Sequence, residues 1–189
     1  MHNFLIEKFG REKGDALYAK QRIRLEELLA KTVGKTKNQM KTLRVTIMPR
    51  IALYQVLQED GISQSEAYAI LKTYMVDVVS ANMVKKFRLI NKLPFVYQLL
   101  KNNIKNNLLK NDNWEATLVN EDADGFAMDV HKCIWYDATV ENNCPELCRV
   151  FCECDDILFD AFTKINFYRE GSLGMQANKC DFKFTKAKK

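Results

Sequence analysis

The stretch from Asp129 to Phe184 holds the residue types most able to do chemistry. All six cysteines of the 189-residue chain lie in it, with one of the two histidines and one of the two tryptophans. Thiolates are nucleophiles and metal ligands, and imidazole is the usual base near neutral pH. Reactive chemistry is therefore expected in this stretch, and the cysteine-free part before it is expected to support the site.

One candidate pair is Cys133 with His131, two residues earlier. The segment Phe126–Val140 alternates, which predicts a strand, and side chains two apart on a strand point the same way. The spacing therefore predicts an imidazole beside the thiol, where it can help to ionise the thiol. A chance pair without function is the alternative. The opposite, apolar face is predicted to pack on helices and consists of Phe126, Met128, Val130, Ile134 and Tyr136.

Four further cysteines, Cys144, Cys148, Cys152 and Cys154, follow the spacing C-x3-C-x3-C-x-C. This spacing fits neither the paired cysteines of zinc sites nor the loops that wrap iron–sulfur clusters, so neither a metal nor another cofactor is expected. Cys148 and Cys154 are expected to be small buried hydrophobic residues. Cys144 is placed at a helix N-terminus, where the helix dipole can lower a thiol pKa.

Arg169 is the candidate cation. It ends a predicted strand, Ile165–Arg169, and precedes the glycine-containing loop Gly171–Gly174. A guanidinium in such a place can bind a carboxylate through two hydrogen bonds. A solvated surface arginine is the alternative.

The elements that must position these residues change in character after Asn111. Apolar residues three or four apart, together with breaker and capping residues, predict helices before this point. The predicted helices are 4–31 with a break near Phe9, 38–58 with Pro49 starting a new turn or kinking it, a helix after the capping box Ser63–Glu66, and 83–110 around Pro94. Alternation predicts strands afterwards, with one inserted helix. These are strands 114–120, 126–140, 165–169 and 180–185, and a helix from Pro145 to about Phe162.

This order predicts an α+β fold, with an N-terminal helical half packed on a C-terminal antiparallel sheet of about four strands. A single domain, 1–189, is expected, made of a mainly helical half, 1–110, and a sheet-containing half, 111–189. In the last strand Cys180, Phe182 and Phe184 are predicted to share a face.

Composition limits the function classes. The formal net charge of +5 is spread over the helical part and the C-terminal tail, so no basic groove is expected and nucleic acid is not an expected partner. The N-terminus lacks the apolar core of a signal peptide, and no apolar run has the length of a membrane span. A cytoplasmic protein with reduced thiols and no membrane partner is expected.

Four motifs resemble a known family. They are Cys133-Ile-Trp-Tyr136, Cys152-Glu-Cys-Asp-Asp156, Arg169-Glu-Gly-Ser-Leu173 and Cys180-Asp-Phe182. Together they resemble the L-2-amino-thiazoline-4-carboxylic acid hydrolase family, which has a strand cysteine, a helix cysteine followed by aspartate, an R-x-x-T-[LI] element and a closing C-D-F. The stretches 48–54 and 61–67 also look like the family's helical half, so the likeness spans about 38–184.

Two departures lie in the loop before the closing motif. Ser172 stands where the family has threonine, and the segment 176–179 replaces the expected glycines. These departures bear on substrate specificity more than on the fold.

The resemblance implies a bacterial hydrolase that opens a small cyclic amidine by hydrolysis of a carbon–nitrogen bond and yields an N-carbamoyl amino acid. Its partner would be a small-molecule substrate, and a homodimer is also among the expectations. The candidate catalytic residues are Cys133, Cys152, Asp155, Cys180 and His131. The candidate substrate-binding residues are Arg169, Ser172, Trp135 and Tyr136.

Two other functions stay open at this point. The closing C-D-F motif is also similar to the C-x-F ending of vinyl-reductase-type ligand-binding domains, which implies a non-catalytic small-molecule-binding module. A scaffold that dimerises through its N-terminal helices is the third alternative, although it would need no polar strand face.

Overall fold

The computed structural model describes residues 1–91, 93 and 95–187. The chain divides into two compact units, Met1–Met75 and Val76–Lys189. The division falls far before residue 110, where the change from helices to strands begins. The expectation of a single domain over 1–189 stays a prediction.

The first unit is helical. Its elements are α1 (His2–Phe9), α2 (Arg11–Lys31), α3 (Lys37–Thr42), a π-helical turn (Leu43–Ile47), α4 (Met48–Glu59) and α5 (Gln64–Thr73). Gly10 separates α1 from α2 with a φ of 83°, a conformation that favours glycine. The predicted break near Phe9 is therefore confirmed. Gly14 stays inside α2, where an added Cβ would lie 2.7 Å from the backbone of Ile6 in α1.

The predicted helix starts in this unit are also confirmed. Pro49 lies in the first turn of α4, where its missing N–H leaves no hydrogen bond unmade. The Ser63 hydroxyl accepts a hydrogen bond from the Glu66 N–H at 3.3 Å and caps α5. The buried side chains Ile51, Leu57 and Leu71 contribute to the core of this unit.

The second unit combines helices with a sheet. A π-helical segment (Tyr74–Ser80) runs across the division between the units. The helices are α6 (Ala81–Ile90), α7 (Val96–Lys110), α8 (Ile134–Glu141) and α9 (Cys148–Asp160), with 3-10 turns at Pro145–Leu147 and Leu173–Met175. The strands are β1 (Trp114–Glu121), β2 (Gly125–Cys133), β3 (Ile165–Tyr168) and β4 (Cys180–Lys186). Pro94, around which helical character was predicted, lies outside the described residues.

The four strands form one antiparallel sheet in the order β1-β2-β4-β3. Val130 pairs with Cys180 and Phe126 with Phe184, so β2 and β4 present their apolar residues on one face. That face forms the core of the unit with Leu108 of α7 and Phe162 after α9. The predicted class, α+β with a helical N-terminal half and an antiparallel C-terminal sheet, is confirmed.

The predicted strand 126–140 is wrong after Cys133, because the chain turns there into α8. The carbonyl oxygen of Asn113 accepts a hydrogen bond from the Ile134 N–H at 2.9 Å, which is the last bond along this side of the strand. Ile134 and Ala138, one helical turn apart, are both buried, so the segment carries a helical period as well as an alternating one. Ile134 and Tyr136 therefore do not extend the sheet face of Val130.

Among the described residues, no helix combines the length and the apolar character that a membrane crossing requires.

Candidate functional site

Four cysteines from three elements come together beside the sheet. Cys133 ends β2, Cys148 and Cys152 lie on α9, and Cys180 begins β4. The charges of Cys133, Cys152 and Cys180 each raise the pKa of at least one other thiol of the group, and Cys148 lies one helical turn before Cys152. The buried sheet face positions Cys180, since this residue pairs with Val130 in the core. The fold therefore brings together Cys133, Cys152 and Cys180, which belong to three separate sequence motifs.

Cys152 is the thiol that its surroundings favour as a thiolate. The Cys148 thiol, one helical turn earlier, donates a hydrogen bond to it, and this is the largest cause of its lowered pKa. Burial opposes the shift, while the Ser172 hydroxyl and the Arg169 guanidinium add to it. The pKa of Cys148 is raised by the same hydrogen bond, so Cys148 keeps its proton. Cys152 is therefore the best nucleophile of the group.

Arg169 is buried, with 4% of its side chain exposed. Its Nη2 donates to both carboxylate oxygens of Asp156 at 2.7 Å and to the carbonyl oxygen of Cys152 at 3.1 Å. The guanidinium carbon lies 5.6 Å from the ring centre of Phe167 and 5.8 Å from that of Phe182. Arg169 is not a solvated surface arginine, because these contacts fix its guanidinium beside Cys152.

Two buried polar atoms near Cys152 make no hydrogen bond within the described part of the chain. They are Arg169 Nη1 and the Oγ of Ser172, a residue that is 0% exposed. The Ser172 hydroxyl lies near enough to Cys152 to lower the pKa of the thiol, although it makes no well-aligned hydrogen bond. A buried donor without a partner is costly, and such atoms often serve a ligand.

Asp155 and Asp156 follow Cys152 on α9 and have different surroundings. Burial, and next the charge of Cys152, raise the pKa of Asp155 to about 7. Burial also raises the pKa of Asp156, although Arg169 opposes this shift and 52% of the Asp156 side chain is exposed. Asp155 can therefore give and take a proton near neutral pH, while Asp156 fixes the arginine. The sequence reasoning missed the role of Asp156, which the Cys152–Asp156 motif already contained.

The closing Cys180-Asp181-Phe182 motif supports the loop that follows Arg169. The Cys180 thiol accepts a hydrogen bond from the Leu173 N–H at 3.3 Å. The Asp181 carboxylate accepts from the N–H groups of Glu170 and Gly171 at 3.1 Å and 2.8 Å. Burial raises the pKa of Cys180 to about 11. Cys180 and Asp181 therefore act as anchors of this loop, and Asp181 is a site residue that the sequence reasoning did not name.

The same loop covers Cys152. A Cβ added to Gly174 would lie 3.0 Å from Cys152 Sγ and 3.1 Å from the backbone nitrogen of Arg149. Only a residue without a side chain lets the backbone approach α9 this closely. Cys152 is 9% exposed, and this loop packs against its thiol.

Cys133 and His131 are separated by a β-bulge. Val130 pairs with Ala116 and Lys132 with Glu115, so His131 is the extra residue of β2 at this point. The bulge turns Cys133 toward the core, against which its side chain packs, while His131 is exposed and shares a hydrogen bond with the Thr117 hydroxyl at 3.0 Å. The predicted imidazole–thiol pair on one strand face is therefore wrong.

The side chain of Cys133 is held at the start of α8. Its thiol accepts hydrogen bonds from the N–H groups of Tyr136 and Trp135, but burial outweighs them and raises its pKa to about 12. The Trp135 ring stacks on Trp114, with ring centres 5.1 Å apart. Trp135 and Tyr136, predicted to bind substrate, thus have backbone contacts with Cys133.

The remaining thiols are buried. Burial raises the pKa of Cys144 to about 12, so the helix dipole does not activate it. Cys148 and Cys154 are buried, as predicted, and every cysteine of the chain is free of disulfides. Among the described residues, no three His, Cys, Asp or Glu side chains are arranged to hold a metal ion.

The comparisons with known proteins point to one family. The family of L-2-amino-thiazoline-4-carboxylic acid hydrolases matches residues 40–184. No curated protein matches the chain. Among solved structures, the chain is similar to the crystal structure of an Fe(II) unliganded H-NOX protein from K. algicida, with 8% identity, a TM-score of 0.31 and coverage of 100% of this chain and 95% of that chain. A TM-score this low carries no argument about fold or function. The match to the family spans most of the chain and includes the cysteine cluster, Arg169 and the closing motif, and the chain therefore belongs to the L-2-amino-thiazoline-4-carboxylic acid hydrolase family.

Proposed function

We propose that this chain hydrolyses a small cyclic amidine that carries a carboxylate, of the 2-amino-thiazoline-4-carboxylate kind. The observation that carries the proposal is the position of Cys152, whose thiolate is favoured between the Cys148 thiol and the buried guanidinium of Arg169. Membership of the family supports a hydrolase of this kind. The reaction needs a nucleophile, a group that moves a proton and a cation for the carboxylate, and Cys152, Asp155 and Arg169 are proposed for these roles.

The first step uses Cys152 and Asp155. The thiolate of Cys152 attacks the ring carbon that lies between sulfur and nitrogen, and the ring carbon–sulfur bond breaks. Asp155, protonated because its pKa is about 7, gives its proton to the departing sulfur, which leaves as a thiol. The amidine carbon is then bonded to Cys152 Sγ as an isothiourea.

The second step restores both residues. Asp155, now a carboxylate, takes a proton from water, and the resulting hydroxide adds to the amidine carbon. The Cys152 thiolate then leaves, and the carbon becomes the carbamoyl group of the product. One water is consumed, and Asp155 ends protonated as it began, with a proton that comes from this water.

Atom balance corrects the expectation that a carbon–nitrogen bond is hydrolysed. A product with its carbamoyl group on nitrogen keeps the ring carbon–nitrogen bond and releases the sulfur as a thiol. Cleavage of the carbon–nitrogen bond would instead give an S-carbamoyl product with a free amine. We assign the carbon–sulfur bond, since the thiolate is the better leaving group of the two.

Arg169 is the group proposed to bind the substrate carboxylate. Its Nη2 is engaged by Asp156, while Nη1 is buried and makes no hydrogen bond within the described residues. A carboxylate is the natural partner of a guanidinium N–H in a buried site. The Ser172 hydroxyl is the second donor without a partner and is proposed to orient the substrate beside Cys152.

The other candidate residues take supporting roles in this proposal. Cys133 and Cys180 keep their protons at neutral pH, because burial raises their pKa values to about 12 and about 11. Trp135 and Tyr136 hold the Cys133 thiol through their backbone N–H groups. His131 has no part in the proposal, since it lies on the exposed side of the bulge.

The test is turnover of L-2-amino-thiazoline-4-carboxylate by the purified full-length chain, with and without EDTA. Mass spectrometry detects the ring-opened product, and a thiol reagent distinguishes the N-carbamoyl product, which has a free thiol, from its S-carbamoyl isomer, which has none. We expect EDTA-resistant formation of the free thiol. An EDTA-sensitive reaction would contradict cysteine catalysis. A folded chain without turnover that retains a small ligand would instead favour the binding module.

A further inference from the structure

We propose that Cys152 and Cys148 form a peroxide-sensitive thiol pair, in which a peroxide oxidises Cys152 to a sulfenic acid and Cys148 then closes an intramolecular disulfide. The pair is a modification site distinct from the hydrolytic reaction, although it shares Cys152 with that reaction.

The first observation is the contact between the two thiols. Cys148 is the first residue of α9 and Cys152 lies one turn later, so the two side chains lie on the same face of the helix. Residues one turn apart in a helix have Cβ atoms about 5–6 Å apart, while a disulfide needs about 3.5–4.5 Å. Closure of the disulfide therefore requires a shift of the backbone in the first turn of α9, where the Cys148 N–H is hydrogen-bonded to the carbonyl oxygens of Pro145 and Glu146. A 3-10 turn, Pro145–Leu147, precedes it.

The second observation is the pair of buried donors beside Cys152. Ser172 Oγ and Arg169 Nη1 make no hydrogen bond within the described residues. A peroxide in contact with a thiolate reacts faster when donors stabilise the oxygen that leaves. The hydroxyl and the guanidinium N–H are donors of this kind, and they lie in the group of residues that also lowers the pKa of Cys152.

The chemistry balances with a peroxide as oxidant. The Cys152 thiolate attacks one oxygen of hydrogen peroxide, the oxygen–oxygen bond breaks, and hydroxide leaves, so the sulfur becomes a sulfenic acid. The Cys148 sulfur then attacks the Cys152 sulfur, and water leaves as the disulfide forms. Two electrons pass from the two thiols to one peroxide.

The neighbouring thiols explain why this pair reacts first. Burial holds the pKa values of Cys133 and Cys180 at about 12 and about 11, so both remain thiols. A thiol reacts with peroxide far more slowly than a thiolate. Cys148 lies one helical turn from Cys152 on the same face of α9, which makes it the resolving thiol.

The test uses reduced full-length protein treated with hydrogen peroxide. Trypsin cleaves after Arg149, between the two cysteines, and so separates Cys148 from Cys152. A disulfide between them joins the tryptic peptides 133–149 and 150–164, and a reductant separates these again. The first peptide also holds Cys133 and Cys144 and the second also holds Cys154, so fragmentation of the joined peptides in the mass spectrometer assigns the pair. We expect the intact mass to fall by two hydrogen atoms and the joined peptides to appear.

Variants assign the sulfurs. Cys148→Ser should stop at the sulfenic acid, which dimedone captures on the Cys152 peptide, and Cys152→Ser should lose the reaction. Cys154→Ser, on the same helix, is the matched control and should behave as the wild type. Ser172→Ala should slow Cys152 oxidation by about threefold to tenfold. A wild-type protein that resists peroxide, or that forms a disulfide between a different pair of cysteines, overturns the proposal. Both outcomes are measured on the wild type and so do not depend on whether the variants fold.

The effect on activity rests on the proposed function. If Cys152 is the hydrolytic nucleophile, the disulfide should abolish turnover of the cyclic amidine, and dithiothreitol should restore it. A chain that forms the disulfide but has no turnover in either state would contradict the proposed function and leave the thiol pair intact. A chain that turns over the substrate but forms no disulfide would contradict the thiol pair and leave the proposed function intact.

Discussion

Cys152 differs from its neighbouring thiols in the donors that surround it more than in its burial, since Cys148 and Cys180 are also buried and Cys133 is partly buried. Burial dominates at Cys133 and Cys180 and raises their pKa values. At Cys152 the Cys148 thiol, Ser172 and Arg169 together outweigh it. The sequence motifs predict Cys133, Cys152 and Cys180 as catalytic candidates without ranking them. Spacing along the chain carries no information on which hydrogen-bond donors surround each sulfur.

The first prediction concerns these three cysteines. Cys152→Ser should lower kcat for cyclic amidine hydrolysis by at least about 100-fold, because serine is a far weaker nucleophile at neutral pH. Cys133→Ser and Cys180→Ser should keep activity within about tenfold, since the pKa values of both thiols exclude a thiolate. Steady-state kinetics on the folded variants checks this. Equal losses in all three would contradict the assignment of Cys152.

The second prediction concerns Asp155. Its carboxyl must be protonated in the first step, so activity should fall as the pH rises above its pKa of about 7. Asp155→Asn should be strongly impaired, and its residual activity should lack this falling limb. Asp156→Asn is the matched control, which should raise KM through Arg169 and keep the limb. If the fall in activity at high pH persists in Asp155→Asn, this fall is due to the titration of another group.

The same pKa predicts a stability difference. A carboxyl whose folded pKa is raised stabilises the fold fully below its unfolded pKa of 3.8, and that contribution is lost as the pH rises toward about 7. Asp155→Asn should therefore raise the free energy of unfolding by about 1–2 kcal/mol at about pH 8 and by much less at about pH 4. Urea unfolding at the two pH values measures this, and a variant less stable at the higher pH would contradict the buried, protonated carboxyl.

At the scale of elements, the β2–α8 junction shows where sequence reasoning stops. The alternation from Phe126 to Val130 was predicted correctly, because it is set by burial on one sheet face. The bulge at His131 reverses which side the next residues face, and α8 begins at Ile134. A one-residue bulge leaves no mark in the pattern of residue types, so the His131–Cys133 pair could not be rejected from the sequence.

The loop that covers Cys152 gives the fourth prediction. Gly174→Ala should lower stability by about 1–3 kcal/mol and reduce activity, because the added methyl group meets α9 and the Cys152 thiol. Thermal unfolding and turnover measure the two effects.

Gln176→Gly is the matched control in the same loop. Gln176 has a φ of 64°, which glycine adopts without strain, so this change should be neutral or stabilising by up to about 1 kcal/mol. If Gly174→Ala proved as harmless as Gln176→Gly, the close approach of the loop to Cys152 would be wrong.

At the scale of the whole molecule, the order of the elements was enough to predict the class. Helical periodicity before Asn111 and alternation after it correspond to the helices and to the β1-β2-β4-β3 sheet. Strand order, the bulge and the meeting of α9 with β4 depend on long-range pairing, which periodicity does not encode. The cytoplasmic location, the bacterial origin and the homodimer stay predictions.

The expected single domain gives the fifth prediction. Both tryptophans, Trp114 and Trp135, lie in the unit Val76–Lys189, whereas helices occur in both units. Tryptophan fluorescence therefore reports on the second unit alone, and far-UV circular dichroism reports on both. A single domain should give coincident urea transitions by the two probes. Two separated transitions would divide the chain into independent domains.

The stacked pair of tryptophans has an optical consequence of its own. The rings of Trp114 and Trp135 are 5.1 Å apart and inclined by 16°. Two indole chromophores this close couple their electronic transitions, which splits the strong absorption band into a pair of circular dichroism bands of opposite sign. The splitting depends on the geometry of the β2–α8 junction, which also holds Cys133. The molecule thus contains a natural exciton reporter at the point where its strand becomes a helix.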